Sequence, residues 1–163
     1  MTRASTRKTS APKPRLELAS LPGHCIRRLQ QIAVAVFMEE SAEAAVTPVQ
    51  FAVLLMISDE PGIDQRTLAR AISFDTSTIG GVLDRLETRG LLTRSHDAAD
   101  RRVRRLHLTP EGETLLAAVV PPMQRTQERV LDPLSASERQ VFMAMMRKVI
   151  QHHAQQGEKE EPA

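Results

Sequence analysis

The apolar residues of the first half of the chain follow helical periodicity. From Pro22 to about residue 44 they recur every three or four positions, which predicts one long helix. These positions are Ile26, Leu29, Ala33, Val36 and Phe37. A second helix is expected to begin at Thr47, because Thr47 and Gln50 fit a capping box around Pro48. Its next residues, 51–57, are apolar on every side, so this helix belongs at the centre of a domain.

Two shorter helices follow the break at Pro61 and Gly62. Asp64 can cap the first, over residues 65–72, and the second is predicted over residues 76–89 after a short turn. The apolar positions of the second helix form a single stripe that one face can bury. They are Ile79, Val82, Leu83 and Leu86, and Gly90 stands where a C-terminal cap is expected. Two short helices joined by a tight turn predict a helix-turn-helix.

A change of period after Gly90 predicts a β-hairpin. Residues 91–94 and 103–108 give its two strands, and the polar residues between them give its tip. Downstream, Thr109 opens a further helix, which Pro121 and Pro122 are expected to end or kink. Ser135 and Glu138 then form a second capping box before the last helix. The apolar positions of that helix are Val141, Phe142, Met145, Met146, Val149 and Ile150.

Composition supports a single, mainly helical domain. The chain has 163 residues, 41% of them hydrophobic, with four Phe and no Trp or Tyr. Such a core must be built from aliphatic residues and Met, which favours helices over a β-sandwich. No run approaches the roughly 18 apolar residues of a membrane span, so we expect a cytoplasmic protein without membrane contact.

The distribution of charge is more informative than its sum. The net charge is only +2, but seven arginines lie between residues 85 and 105. A further acid-free basic stretch fills residues 1–15, which we interpret as a disordered arm. A basic segment that overlaps a helix-turn-helix favours a nucleic-acid partner.

Enzymatic and metal-dependent functions find little support. The chain has no Gly-rich phosphate loop, no HExxH motif and no GxSxG motif. The single cysteine, Cys25, excludes a multi-cysteine zinc site, and the adjacent His152 and His153 point in different directions on a helix. We therefore expect neither an enzyme nor a bound cofactor or metal.

The exposed face of the helix over residues 76–89 has the composition of a DNA-recognition surface. It carries small hydroxyl side chains, two glycines that permit close approach, and an arginine able to bond two atoms of guanine. These candidate contacts are Thr76, Ser77, Thr78, Gly80, Gly81 and Arg85. An ordinary solvated face is the alternative, but two glycines in an exposed helix cost roughly 1 kcal/mol each relative to Ala.

The predicted hairpin tip supplies a second set of candidate contacts. Asp100, Arg101 and Arg102 lie at the tip, where an arginine can enter the narrow minor groove. Asp100 stands two residues before Arg102 and is expected to hold its guanidinium. Because this hairpin directly follows a helix-turn-helix, we interpret it as a wing.

Two segments of the chain resemble MarR-type regulators. They are Leu83-Asp84-Arg85-Leu86-Glu87-Thr88-Arg89-Gly90-Leu91, and Asp100-Arg101-Arg102 continued by Leu106-His107-Leu108-Thr109-Pro110-Glu111-Gly112. The resemblance extends over about residues 21–150. It implies a winged fold, an obligate dimer, binding to pseudo-palindromic operators and, in many members, release by a small aromatic acid.

The residue pattern also gives a reason for a homodimer. The apolar seams of the first and last helices exceed what one winged core can cover, although they could instead pack on their own subunit. The expected fold is thus mainly α with a small β-hairpin wing, a winged helix-turn-helix with N- and C-terminal dimerisation helices. The expected parts are residues 1–20, a disordered basic arm; 21–46, the N-terminal dimerisation helix; 47–112, the DNA-binding domain; 113–154, the C-terminal dimerisation helices; and 155–163, a disordered tail.

Three hypotheses concern regulation. His24, Arg28 and Gln31 share one face of the first helix, where they can bind a carboxylate; a solvated face or an intersubunit salt bridge is the alternative. The resemblance points towards members that respond to nicotinate-type or other aromatic carboxylates.

A peroxide-sensing role for Cys25 is a second hypothesis, but without tyrosines a buried structural cysteine is favoured. A protein-interaction module on the same fold is the third, and it would lack salt-dependent DNA binding.

Overall fold

The computed structural model describes residues 17–97, 99, 100 and 102–160. Its main elements are α1 (Pro22–Glu40), α2 (Pro48–Asp59), α3 (Gln65–Ala71), α4 (Thr76–Thr88), β1 (Leu92–His96), β2 (Arg104–Leu108), α5 (Pro110–Val130) and α6 (Ala136–Glu160). Residues 1–16 of the predicted arm, Arg101 of the predicted tip and the last three tail residues lie outside the described residues. The mainly helical fold with one hairpin is confirmed.

Local capping begins most helices where the sequence predicts. Thr47 and Gln50 form the reciprocal capping box, with bonds of 3.0 and 3.3 Å. Asp64 accepts from two amides at the start of α3, and Thr109 accepts from Gly112 at the start of α5. Ser135 exchanges bonds with Glu138 before α6. Each cap satisfies amides that a helix N-terminus otherwise leaves without partners.

The core surrounds α2, which contacts α3, α4, α5 and β2. Its largest fully buried side chains come from α2 itself, the helix-turn-helix, the wing and the end of α1. They include Phe37, Leu54, Ile57, Leu68, Ile79, Leu83, Leu86, Leu92 and Leu106. The buried stripe of α4 is the predicted one, so the opposite face of that helix is left to solvent.

The wing is an antiparallel pair in which Leu92 lies opposite Leu108. Gly90 ends α4 with a φ of +71°, the left-handed conformation that glycine adopts without strain. Arg105 also bridges to Asp64, which attaches the hairpin to the start of α3. Helix α4 and the wing are therefore connected directly through β1, and α3 contacts both of them.

Three predicted boundaries are wrong. Helix α1 ends at Glu40, because the buried hydroxyl of Ser41 donates to the Phe37 carbonyl at 2.6 Å and a short 3-10 turn, Ala42–Ala44, follows. Within the predicted arm, Leu18–Ser20 forms another 3-10 turn. Helix α6 continues past residue 155 to Glu160, through residues that, apart from Gly157, are good helix formers.

The proline pair does not end α5. Pro121 and Pro122 lie inside the helix and leave the carbonyls of Ala117 and Ala118 without their helical amide donors. Both alanines are exposed, so water can satisfy these carbonyls, which explains why the helix continues.

Two helix faces lack a partner within the described chain. Helix α1 packs along α5, yet Ile26, Leu29 and Ile32 on its outer side are 40–63% exposed. Helix α6 has no extensive contact with any other described element, and its apolar residues Val141 and Met145 are 53% and 62% exposed. None of the described helices is long and apolar enough to cross a membrane.

Candidate nucleic-acid interface

The polar face of α4 is exposed as predicted. Thr76, Ser77, Thr78 and Arg85 are all exposed, whereas Gly80 and Gly81 are half-buried. The four buried side chains of the same helix hold it against the core. Helix α4 therefore presents hydroxyls at its N-terminal end and a guanidinium two turns later.

Asp75 organises the first turn of α4. Its carboxylate accepts from the backbone amide of Thr78 at 2.7 Å and from the hydroxyls of Ser77 and Thr78 at 2.5 and 2.6 Å. These bonds, led by that from Ser77, hold the pKa of Asp75 well below its usual range. The sequence places Ser77 and Thr78 correctly but does not reveal that both hydroxyls are already engaged.

The two glycines of α4 differ in their surroundings. A Cβ on Gly80 would lie 3.3 Å from Nε2 of Gln65, which itself donates to the Thr76 carbonyl at 3.1 Å. Gly80 thus allows α3 and α4 to approach each other. A Cβ on Gly81 would meet only the Arg85 guanidinium, at 3.6 Å, so Gly81 remains the one suited to an approaching ligand.

The wing tip is organised by Asp97. Its carboxylate accepts from the amides of Asp100 and Ala99 and from Nε of Arg105 at 2.7 Å, and these bonds lower the pKa of Asp97 to about 2. The expected ion pair between Asp100 and the Arg102 guanidinium is absent from the described contacts. Asp100 accepts instead from the backbone amide of Arg102 at 2.9 Å, because a carboxylate two residues upstream closes a tight turn. The Arg102 side chain is left exposed.

An ionic contact that the sequence does not reveal joins the wing to α4. Arg94 of β1 lies 2.5 Å from a carboxylate oxygen of Asp84 and 3.4 Å from one of Glu87. The Arg94 side chain is only 19% exposed, so the wing residue is packed against the helix rather than extended into solvent. This contact fixes the distance between the two candidate DNA-binding elements.

A basic cleft of about 310 Å³ lies where α3, α4 and the wing meet. Its lining includes three arginines, Arg66, Arg102 and Arg104, together with Thr76 and one carboxylate, Asp64, which is engaged in capping α3. All three arginines are exposed, and none has an ion-pair partner among the described residues. Sequence patterns single out only Arg102, because Arg66 and Arg104 join it through the packing of separate elements. The cleft can hold an anion such as a phosphate.

Further contacts tie α1 to the rest of the domain. Glu40 accepts from Arg125 and Arg129 of α5, both at 2.7 Å, and the bond from Arg125 chiefly lowers the Glu40 pKa. Arg89, at the end of α4, donates to the Ala45 carbonyl at 2.9 Å in the connection between α1 and α2. The position of α1 is therefore connected to α4 as well as to α5.

The residues predicted to bind a ligand lie on the outer part of α1. Arg28 and Gln31 are exposed, and His24 is half-buried with Nδ1 3.4 Å from Arg27. They line none of the described cavities, and their role stays a prediction. A separate cavity of about 170 Å³ lies among α1, α2 and α5. Its lining carries amide and hydroxyl groups but no cation: Gln30, Ala33, Val34, Phe37, Pro48, Met123, Thr126, Gln127 and Val130.

Cys25 is not the buried cysteine that the sequence favours. It is exposed in the described chain, and its thiol donates to the Ala19 carbonyl at 3.3 Å. It lies at the N-terminal end of α1, beside the 3-10 turn Leu18–Ser20.

Comparison with known proteins agrees with this arrangement. The family model described as the MarR family matches residues 46–103, the segment from the start of α2 to the wing. The transcriptional regulator HosA of Escherichia coli O127:H6 (strain E2348/69 / EPEC) is 41% identical over 127 residues, which cover 78% of this chain and 93% of HosA.

Two solved structures share both fold and sequence. PcaV of Streptomyces coelicolor, in complex with its natural ligand, has a TM-score of 0.79 and 38% identity, covering 84% of this chain and 96% of PcaV. BpsR of Bordetella bronchiseptica, whose DNA binding is regulated by 6-hydroxynicotinic acid, has a TM-score of 0.78 and 32% identity, covering 83% and 96%. The helix-turn-helix, the braced wing and this similarity along nearly the whole of HosA show that the chain belongs to the MarR family and is a winged-helix transcriptional regulator.

Proposed function

We propose that this regulator binds a pseudo-palindromic operator as a homodimer and represses transcription until a small aromatic or heterocyclic carboxylate releases it. The observation that carries the proposal is the exposed face of α4 beside the exposed arginines of the basic cleft. Helix α4 would lie in the major groove, and the wing arginines would reach the flanking minor groove. The proposal assigns no catalytic activity.

Dimerisation is supported by the uncovered apolar faces of α1 and α6. Burying them against a second copy removes apolar area from water, at roughly 25 cal/mol per Å². A two-fold axis would place the two α4 helices about one turn of DNA apart. Replacing Met145 and Val149 by Glu should give a monomer in sedimentation equilibrium, while the control Gln140→Glu on the polar side of α6 should leave a dimer. A doubly substituted protein that remains dimeric would contradict this assembly.

The decisive experiment is a fluorescence-anisotropy titration with DNA from the region upstream of the chain's own gene. We expect the logarithm of the association constant to fall linearly with the logarithm of the salt concentration, because phosphate contacts release counterions. Binding that does not depend on salt or sequence would favour a protein-interaction module instead.

The proposed effector class rests on chemistry and on relatives. BpsR responds to 6-hydroxynicotinic acid, and PcaV was solved with its natural ligand. In this chain the cavity among α1, α2 and α5 has the small size of a single-ring site but no cationic lining. A carboxylate bound there would need a cation from elsewhere, for which Arg28 is the proposed source.

Operator release should be measured with nicotinate, 6-hydroxynicotinate and benzoate, each paired with its carboxamide as a neutral control. Release by the acids alone, lost in Arg28→Gln, would support the carboxylate site, and equal release by the amides would contradict it. Val34→Phe fills the cavity but keeps Arg28, so comparing its operator release with that of Arg28→Gln separates the effect of the cavity from the effect of the charge.

Hydrogen peroxide tests the alternative centred on Cys25, with Cys25→Ala as the control. Among the described contacts the Cys25 thiol is paired with a backbone carbonyl, that of Ala19, and with no cationic side chain that would activate it, so we expect no response to peroxide. Release by peroxide that Cys25→Ala abolishes would replace the carboxylate with an oxidant as the signal.

A further inference from the structure

The hydroxyl groups at the start of α4 have a defined hydrogen-bonding direction. Oγ of Ser77 lies 2.5 Å from one carboxylate oxygen of Asp75, and Oγ1 of Thr78 lies 2.6 Å from the other. An ionised carboxylate has no proton to donate, so both hydroxyl protons must point back to Asp75. The lowered pKa of Asp75 keeps this carboxylate ionised throughout the physiological range.

A hydroxyl whose proton is committed can only accept from a second partner. Ser77 and Thr78 are both exposed on the face of α4 that the helix turns away from the core. The groups that they present to an approaching ligand are therefore oxygen lone pairs.

This polarity selects among the groups of DNA. Phosphate oxygens, guanine N7 and O6, and thymine O4 are all acceptors, whereas adenine N6 and cytosine N4 carry amino donors in the major groove. We infer that Ser77 and Thr78 determine specificity by accepting a hydrogen bond from the amino group of adenine or cytosine, and do not anchor α4 on phosphate. The inference rests on the proposed operator binding.

The rest of the interface supplies the complementary donors. Arg85 lies seven residues after Thr78, on the same face and about 10 Å further along the helix. Its guanidinium suits guanine, and the arginines of the basic cleft suit phosphates. Each half-site should accordingly combine an adenine or cytosine with a guanine, about three base pairs apart.

The test couples a protein hydroxyl to a base amino group. The operator is first selected from randomised duplexes with the wild-type protein. Analogues that lack only the amino group, purine for adenine and pyrimidin-2-one for cytosine, are then placed at each position in turn. Binding is measured for wild type, Ser77→Ala and Thr78→Val, with Thr88→Val as the control. Thr88 is also exposed on α4, but its hydroxyl donates to the Asp84 carbonyl at the opposite end of the helix.

We expect the wild type to lose roughly 3- to 10-fold in affinity at one or two amino-bearing positions. For Ser77→Ala or Thr78→Val, removing the base amino group at the position that the missing hydroxyl would contact should cause no additional loss of affinity. Thr88→Val should respond to the analogues as the wild type does. Circular dichroism checks that α4 remains folded. Asp75→Asn, which introduces an amide donor and frees one hydroxyl proton, should relax the preference towards guanine or thymine.

Coupling of either hydroxyl to guanine or thymine would overturn the inference. An equal loss on all sequences with a shallower salt dependence would also overturn it, because that result indicates a phosphate contact. Salt-dependent binding without hydroxyl-to-base coupling rejects this inference alone, whereas absence of any specific binding by the wild type rejects the proposed function and this inference with it.

Discussion

Substituting Gly112 tests the contact between α5 and the exit of the recognition helix. Gly112 is buried in the first turn of α5, where an added Cβ would lie 2.0 Å from the Leu91 carbonyl oxygen and 3.0 Å from its carbon. Both atoms belong to the backbone, so no side-chain rotation relieves the clash. In Gly112→Ala, the start of α5 must move away from the junction between α4 and β1.

The expected magnitude follows from two opposing terms. Alanine gains about 1 kcal/mol over glycine inside a helix, whereas overpacking typically costs about 1–3 kcal/mol and more when backbone must move. We expect a net loss of about 2 kcal/mol in the free energy of unfolding, which lowers Tm by about 4–8 °C in a chain of this size. Weaker operator binding should accompany it, because Leu91 connects α4 to the wing.

Scanning calorimetry at one fixed protein concentration measures this shift without interference from mass action in the proposed dimer. Gly23→Ala is the matched control, because a Cβ there has nothing within 4 Å and should leave Tm unchanged or slightly raised. If Gly112→Ala melted at or above the wild-type temperature, the close approach of α5 to Leu91 would be refuted.

Three further predictions concern the wing and α4. Arg94→Met and Asp84→Asn should each weaken operator binding about threefold, because both remove the same contact. The double variant should bind no more weakly than either single variant, and additive losses of affinity in the anisotropy assay would contradict this. Bonds from the tip amides hold the pKa of Asp97 at about 2, below the ordinary value of about 3.9. The ionised carboxylate therefore stabilises the folded hairpin fully at a pH above about 3.9, and this stabilisation is lost as the pH falls towards 2. Asp97→Ala should abolish this acid loosening of the hairpin in an NMR titration, and an unchanged titration would exclude the role. Arg85→Ala should relax sequence preference, whereas Arg102→Ala should weaken all sequences alike and reduce the salt slope by about 1; equal loss of preference from both would reject this division.

Features that depend on near neighbours could be predicted from the sequence. The capping box of Thr47 and Gln50, the cap at Asp64 and the left-handed Gly90 each involve residues within a few positions of one another. The buried stripe of α4 follows from helical periodicity alone, and its polar face follows with it. For this reason the exposed face of α4 could be predicted from the sequence, whereas its contacts with DNA stay a prediction.

Contacts between separate elements could not be predicted in the same way. Arg94 reaches Asp84 only because β1 folds back beside α4, and Arg66 meets Arg102 only because the wing packs on α3. The continuation of α5 through its prolines depends on which of its carbonyls face water. Such facts depend on three-dimensional packing, which periodicity does not contain.

The proline pair gives α5 an unusual mechanical property. A helix resists bending because each turn is held to the next by hydrogen bonds, and two consecutive bonds are missing where Pro121 and Pro122 stand. Upstream of this point, Leu116 and Val119 are part of the core that carries the recognition helix; downstream, Arg125 and Arg129 hold α1. Because these two bonds are already absent, a bend at the pair costs less than a bend elsewhere in α5. The helix can thus act as a hinge between its two ends while staying continuous. A displacement of α1 can therefore change the orientation of the helix-turn-helix and the wing while α5 stays helical.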